Sequence, residues 1–136
     1  MKKTILLMLA LVVSVAVFAQ NPPRKVYCQI VGTQKFLSNK CTVEVDYGQE
    51  KDMWAWKGQS LVDENGEKLV FNSMVDAMNF MGELGWEFQD AYVITVGQQH
   101  VYHWLLAKYI SDESINEGLT TKQGYKEKQV VNALII

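Results

Sequence analysis

The chain has 136 residues, with 13 Lys and Arg against 15 Asp and Glu and two cysteines. A formal charge of −2 leaves no basic patch to displace counterions, which argues against nucleic acid or an anionic membrane as partner. The length suits one domain with a modest core.

The opening "MKKTILLMLALVVSVAVFAQ" starts with Lys2 and Lys3, runs apolar over residues 5–13 and resumes over 15–19. That is the pattern of a secretory signal peptide. Val17 and Ala19 place small residues three and one positions before a cut, so cleavage is expected after Ala19, with Gln20 as the new terminus. A membrane anchor is the competing reading, but the apolar stretch is short of the ~20 residues a spanning helix needs. Cys28 lies nine residues beyond Ala19, whereas a lipoprotein carries Cys directly after the cut. Residues 1–19 are therefore read as the signal peptide of a product found in the periplasm or outside the cell, with no further membrane span. Loss of Lys2 and Lys3 leaves 11 basic against 15 acidic residues, a charge of −4.

Residues 20–24 read as a flexible lead-in. "KVYCQIVG" then alternates with Val26, Cys28 and Ile30 on one side, which predicts a strand. "KCTVEVDYG" alternates more cleanly: Cys41, Val43, Val45 and Tyr47 inward, Thr42, Glu44 and Asp46 outward. That is the signature of an antiparallel sheet with one wet face. "GTQKFLSN" connects the two strands, and "MWAWKGQ" fits no periodic template. Asn65-Gly66, flanked by two short apolar runs, is a strong hairpin signal.

The period changes at "SMVDAMNFMGEL". Met74, Ala77, Met78, Met81 and Leu84 recur every three or four residues, so this segment is expected to be a helix with one apolar face. Ser73 and Asp76 form an S-x-x-D cap at its start, and Gly85 supplies the stop. Trp86 opens a strand, "WEFQDAYVIT", with Phe88 on its own side and Glu87 and Gln89 toward water. Asp90 breaks that alternation, so either the strand leaves the core there or a bulge shifts the register. "HVYHWLLAKY" returns as a final, central strand, apolar on both faces. Residues 111–136 read as a tail with a short helix, and its apolar end "QVVNALII" is expected to dock on the domain or pair with a sheet edge.

The order is two strands, a small hairpin, a helix and two strands. It predicts an α+β fold over residues 25–110: an antiparallel sheet of four to six strands with one main helix on one face. The stretches "FNSMVDAMNFMGELGWEFQDAYVIT" and "VYHWLLAKY" resemble a family of small bacterial domains of unknown function that share a Gly-Trp-Glu corner after a single helix. They look most like its secreted versions in Bacteroides-type bacteria. The resemblance implies a fold and brings no catalytic residues.

Chemistry is sparse. Export makes a disulfide between Cys28 and Cys41 conceivable, and both lie on the inward side, so strand register decides. A hairpin centred near Gln34 and Lys35 would set them opposite each other; a different centre leaves two buried thiols packing as small hydrophobes. His100 and His103, three apart on a strand, point to opposite faces and cannot share one metal ion without a bulge. No hydrolase, zinc-protease or phosphate-loop motif occurs, and no cofactor is implied.

Aromatic side chains carry the functional hint. Trp54 and Trp56, spaced by two, present both rings on one side of an extended segment, and Tyr47, Tyr102, Trp104 and Tyr109 can join them. Were the helix to cover one sheet face only, these rings would form a platform on the other, able to stack a sugar or grip a peptide. Alternatively they cap the core. A non-enzymatic binding module for a glycan, peptide or protein is thus the first expectation. An enzyme using His103, Glu87 or Asp90 in a cleft, and an assembly protein pairing through a sheet edge, are the alternatives.

Overall fold

The computed structural model describes residues 1–18, 21–54 and 58–135. The N-terminal apolar stretch forms α1 (Lys2–Phe18); Ala19 and Gln20, the expected cleavage boundary, lie outside the described residues. Among the described residues no helix is long and apolar enough to cross a membrane.

The sheet grows from the alternating segments. β1 (Arg24–Gln34) pairs antiparallel with β2 (Cys41–Asp46), and Val26, Cys28, Ile30, Cys41, Val43 and Val45 are all buried. The hairpin centre lies farther along than Gln34 and Lys35, because Gln34 pairs with Cys41 and Gln29 with Asp46. Cys28 is thus six residues up the strand from the partner of Cys41, about 20 Å at ~3.3 Å per residue. No bridge forms, and both thiols are free and buried. Cys41 Sγ instead contacts Met74 Sδ at 3.7 Å.

Beyond β2, the segment after Gly58 edges the same sheet. Leu61 N–H donates to Val43 O (2.9 Å), Val45 N–H to Gln59 O (3.0 Å), and β3 (Val70–Phe71) pairs with Cys41 and Thr42. Asn65-Gly66 turns the chain between these contacts, held by Asp63 Oδ1, which accepts from the N–H groups of Asn65 and Glu67.

The predicted helix is α2 (Met74–Glu83), with Met74, Ala77 and Met81 buried. Ser73 Oγ accepts from Asp76 N–H at 3.2 Å, while Asp76 Oδ2 reaches back to Asn72 N–H at 2.9 Å. A cap of this kind stabilises a helix by ~1 kcal/mol. Its far end is a Schellman closure: Trp86 N–H donates to Met81 O (3.1 Å) and Gly85 N–H to Gly82 O (3.0 Å). Gly85 sits at φ +92, where a residue without Cβ is not strained. Trp86 then turns inward and is 2 % exposed, with Lys108 Nζ 4.7 Å from its ring centroid and also donating to Leu84 O at the helix end (3.4 Å). The Gly-Trp-Glu stretch is a corner. Close packing of α2 on the sheet also depends on Gly32, where a Cβ would lie 2.0 Å from Met74 Sδ.

β4 (Glu87–Val96) and β5 (Gln99–Ile110) complete one open antiparallel five-stranded sheet of order β3-β2-β1-β5-β4. The fold is α+β. The break in alternation at Asp90 is a bulge, since Phe88 pairs with Leu106 and Asp90 with Leu105.

The C-terminal region departs from expectation. Leu119 joins the core, Thr121 bridges Leu61, and Lys122 N–H donates to Ser60 O (2.9 Å), so this part is tied to the β2 edge. From there α3 (Lys122–Ile135) runs on with no buried residue, and Val130, Val131, Leu134 and Ile135 are exposed. Among the described residues, the apolar end is an exposed helix and pairs with no sheet edge. The helix continues from the anchored first turn through Lys126, Glu127, Lys128 and Gln129, good helix formers, and carries those apolar side chains away from the core.

Candidate functional site

Pairing decides which side chains share a face, because directly opposite residues in an antiparallel ladder point the same way. Trp104 lies opposite Ile30, and Tyr102 opposite Gly32. Both rings therefore belong to the α2 side, where they are half-buried and pack against the core. This corrects their assignment to a platform on the other face. Phe88 shares their side, edge-on to Trp104 at 5.4 Å and 77°.

Trp54 is elsewhere. It is almost fully exposed in the loop after β2, its N–H donating to Asp52 Oδ1 at 3.0 Å, and it lines a groove with Lys126, Val130 and Val131 of α3. The structure does not bring it together with Tyr102, which lines a different depression beside Cys41 and Met74. Trp56 lies outside the described residues.

The face opposite α2 has an aromatic character of its own. In β5 it carries His103, Leu105 and Tyr109; in β1, Tyr27; in β4, Tyr92. Tyr27 (51 %), Tyr92 (54 %) and Tyr109 (67 %) are exposed, and Leu105 is 38 % exposed. No described helix covers them. The Tyr92 and His103 rings are stacked face to face at 4.5 Å and 5°, tying β4 to β5, and Gln29 Nε2 donates to Tyr92 Oη at 3.4 Å. Lys25 Nζ stands 5.5 Å from the centroid of Tyr27.

Tyr27 and Tyr92 were not among the sequence-derived candidates. Tyr27 could have been found, since it falls out of phase with Val26, Cys28 and Ile30. Tyr92 could not, because without the bulge its parity is that of Phe88, on the α2 side.

Glu87, Asp90 and His103 also lie on the uncovered face, while His100 faces the other way and bonds Thr95 Oγ1 at 3.0 Å. Among the described residues, no three His, Cys, Asp or Glu side chains gather as a metal site would require. Burial pushes the Cys28 thiol up to about 12 and raises that of Cys41, the opposite of what an activated nucleophile needs. At the rim, Lys51 pairs with Asp46 and holds its carboxyl below the ordinary value. What the arrangement offers is broad, rigid ring surface with polar tips.

No family model, curated protein or solved structure matches this chain.

Proposed function

We propose that the protein is an exported, non-enzymatic binding module whose contact surface is the sheet face opposite α2. The observation that carries this reading is the set of bare tyrosines, Tyr27, Tyr92 and Tyr109, around Leu105 on a face that no described element covers. A soluble domain gains nothing in stability from leaving such rings in water, and contiguous exposed apolar surface marks interaction sites. Rings fixed on strands lose little entropy on binding, and their hydroxyls can bond a polar rim.

Glycans are the ligand class this surface suits first. Their apolar ring faces stack on exposed aromatic rings such as those of Tyr27 and Tyr109, and Gln29, Asp90 and Lys25 supply hydrogen bonds at the border. A peptide or protein surface is second. The N-terminal signal-like segment supports a site of action outside the cytoplasm.

Isothermal titration against glycan and peptide panels tests the reading, with Tyr27→Ala and Tyr109→Ala as face variants and Trp54→Ala as the control. Each face variant should weaken binding at least about tenfold, equivalent to ~1.4 kcal/mol, with an unchanged melting temperature. Binding that survives both face variants, or is lost with Trp54→Ala alone, would refute this choice of surface.

A further inference from the structure

The last strand of the sheet is unguarded. β4 has one neighbour, β5, and all ten of its residues are exposed. Natural edges are protected by Pro, Lys, bulges or short length. In β4 the only such features, Glu87, Asp90 and the bulge between Phe88 and Asp90, sit at one end. The remaining "AYVITV", residues 91–96, contains no charge, no Pro and no Gly. The other edge strand, β3, is only two residues long.

The backbone groups left unpaired can be identified. Gly97 and Gln98 form a two-residue turn, with Gly97 at φ +64 in the first turn position and Val96 paired with Gln99. Such a turn makes its flanking residues a mutually bonded pair, so backbone groups alternate away from it. Those of Val96, Ile94 and Tyr92 point at β5, and those of Thr95, Val93 and Ala91 point outward. Ala91 N–H accordingly donates to the Asp90 side chain at 2.8 Å.

Those three outward residues are symmetric about Val93. We infer that β4 pairs antiparallel with β4 of a second copy of this chain, with the two-fold axis at Val93, giving a continuous ten-stranded sheet. Val93 bonds Val93 of the other copy, and Ala91 bonds Thr95 in both directions once Ala91 N–H exchanges the Asp90 carboxylate for the Thr95 carbonyl, so the outward backbone groups of residues 91, 93 and 95 are all used. An axis normal to the sheet keeps both uncovered faces on the same side. Tyr92 then lies beside Ile94 across the junction, a favourable aromatic and β-branched pair.

Charge selects this arrangement over a parallel one. Parallel pairing would set Glu87 and Asp90 of both copies side by side, whereas the antiparallel register places Asp90 opposite Val96. The same strand inverted is the arrangement that a two-fold interface requires. This pairing does not rest on the ligand reading, and Tyr27→Ala and Tyr109→Ala should leave it intact.

Sedimentation equilibrium of the purified protein should give a dimer that dissociates on dilution. Val93→Pro should shift the mass to monomer with an unchanged circular dichroism spectrum, because this N–H points outward and its loss spares the β4–β5 bonds. Cysteine scanning fixes the register independently of that variant's folding. Val93→Cys should form a disulfide-linked dimer on mild oxidation, since bonded pairs lie ~5.5 Å apart at Cα, while Ala91→Cys and Thr95→Cys should not. The buried Cys28 and Cys41 stay silent in this assay. A monomer at all concentrations, a folded Val93→Pro that stays dimeric, or cross-linking at Thr95 equal to that at Val93 would each overturn the proposal.

Discussion

Removing the Trp86 ring tests the corner between helix and sheet most directly. The side chain is 2 % exposed, follows the Schellman closure of α2, and carries Lys108 Nζ 4.7 Å above its ring. Trp86→Ala deletes a buried bicyclic ring in surroundings that relax only partly, which costs ~3–5 kcal/mol. The lost cation–π contact accounts for ~1–2 kcal/mol of that, because Lys108 is itself only 8 % exposed. Against a total stability of ~5–15 kcal/mol this is a large fraction. At ~4 °C per kcal/mol for a domain of this size, the melting temperature should fall by ~12–20 °C. Urea titration followed by circular dichroism should show the same loss as a lower midpoint with an unchanged slope. A companion, Lys108→Met, keeps the aliphatic stem and should cost ~1–2 kcal/mol. If Trp86→Ala left both midpoints unchanged while abolishing binding to a partner, the corner would be a site and the packing argument would fail.

Gly85→Ala should cost ~1 kcal/mol through its φ of +92 alone, because the new Cβ meets only Lys108 Cδ at 3.9 Å; a neutral result in urea would remove the Schellman argument. For Cys28, raised from 9.0 to about 12 by burial, the folded state holds its proton more tightly than the unfolded chain. Its contribution is complete below pH 9 and declines as pH rises toward 12. Cys28→Ala should therefore flatten part of the alkaline loss of stability seen in urea titrations, and native protein at pH 8 should resist alkylation at both thiols. Intact-mass analysis of material made in a native host should give a chain starting at Gln20; a mass retaining residues 1–19 would remove the export reading.

Where periodicity was one-sided, sequence alone determined the outcome. Val26, Cys28 and Ile30, the Cys41 to Val45 alternation, and the three- and four-residue spacing of Met74, Ala77 and Met81 each named their buried face correctly. Ser73, Asp76 and Gly85 marked the helix ends, because caps and positive-φ stops are local devices needing no distant partner. The tertiary structure decided everything that depends on pairing. The β1–β2 register, set by where the hairpin turns, separated Cys28 from Cys41. In β5, apolar on both sides, only alignment with Ile30 and Gly32 could send Trp104 and Tyr102 beneath α2 and leave His103, Leu105 and Tyr109 outside. One extra residue in β4 moved Tyr92 to the uncovered face. With a side-chain period of two, a single inserted residue reverses every later position in a strand, and the ladder that admits it joins segments far apart in the chain.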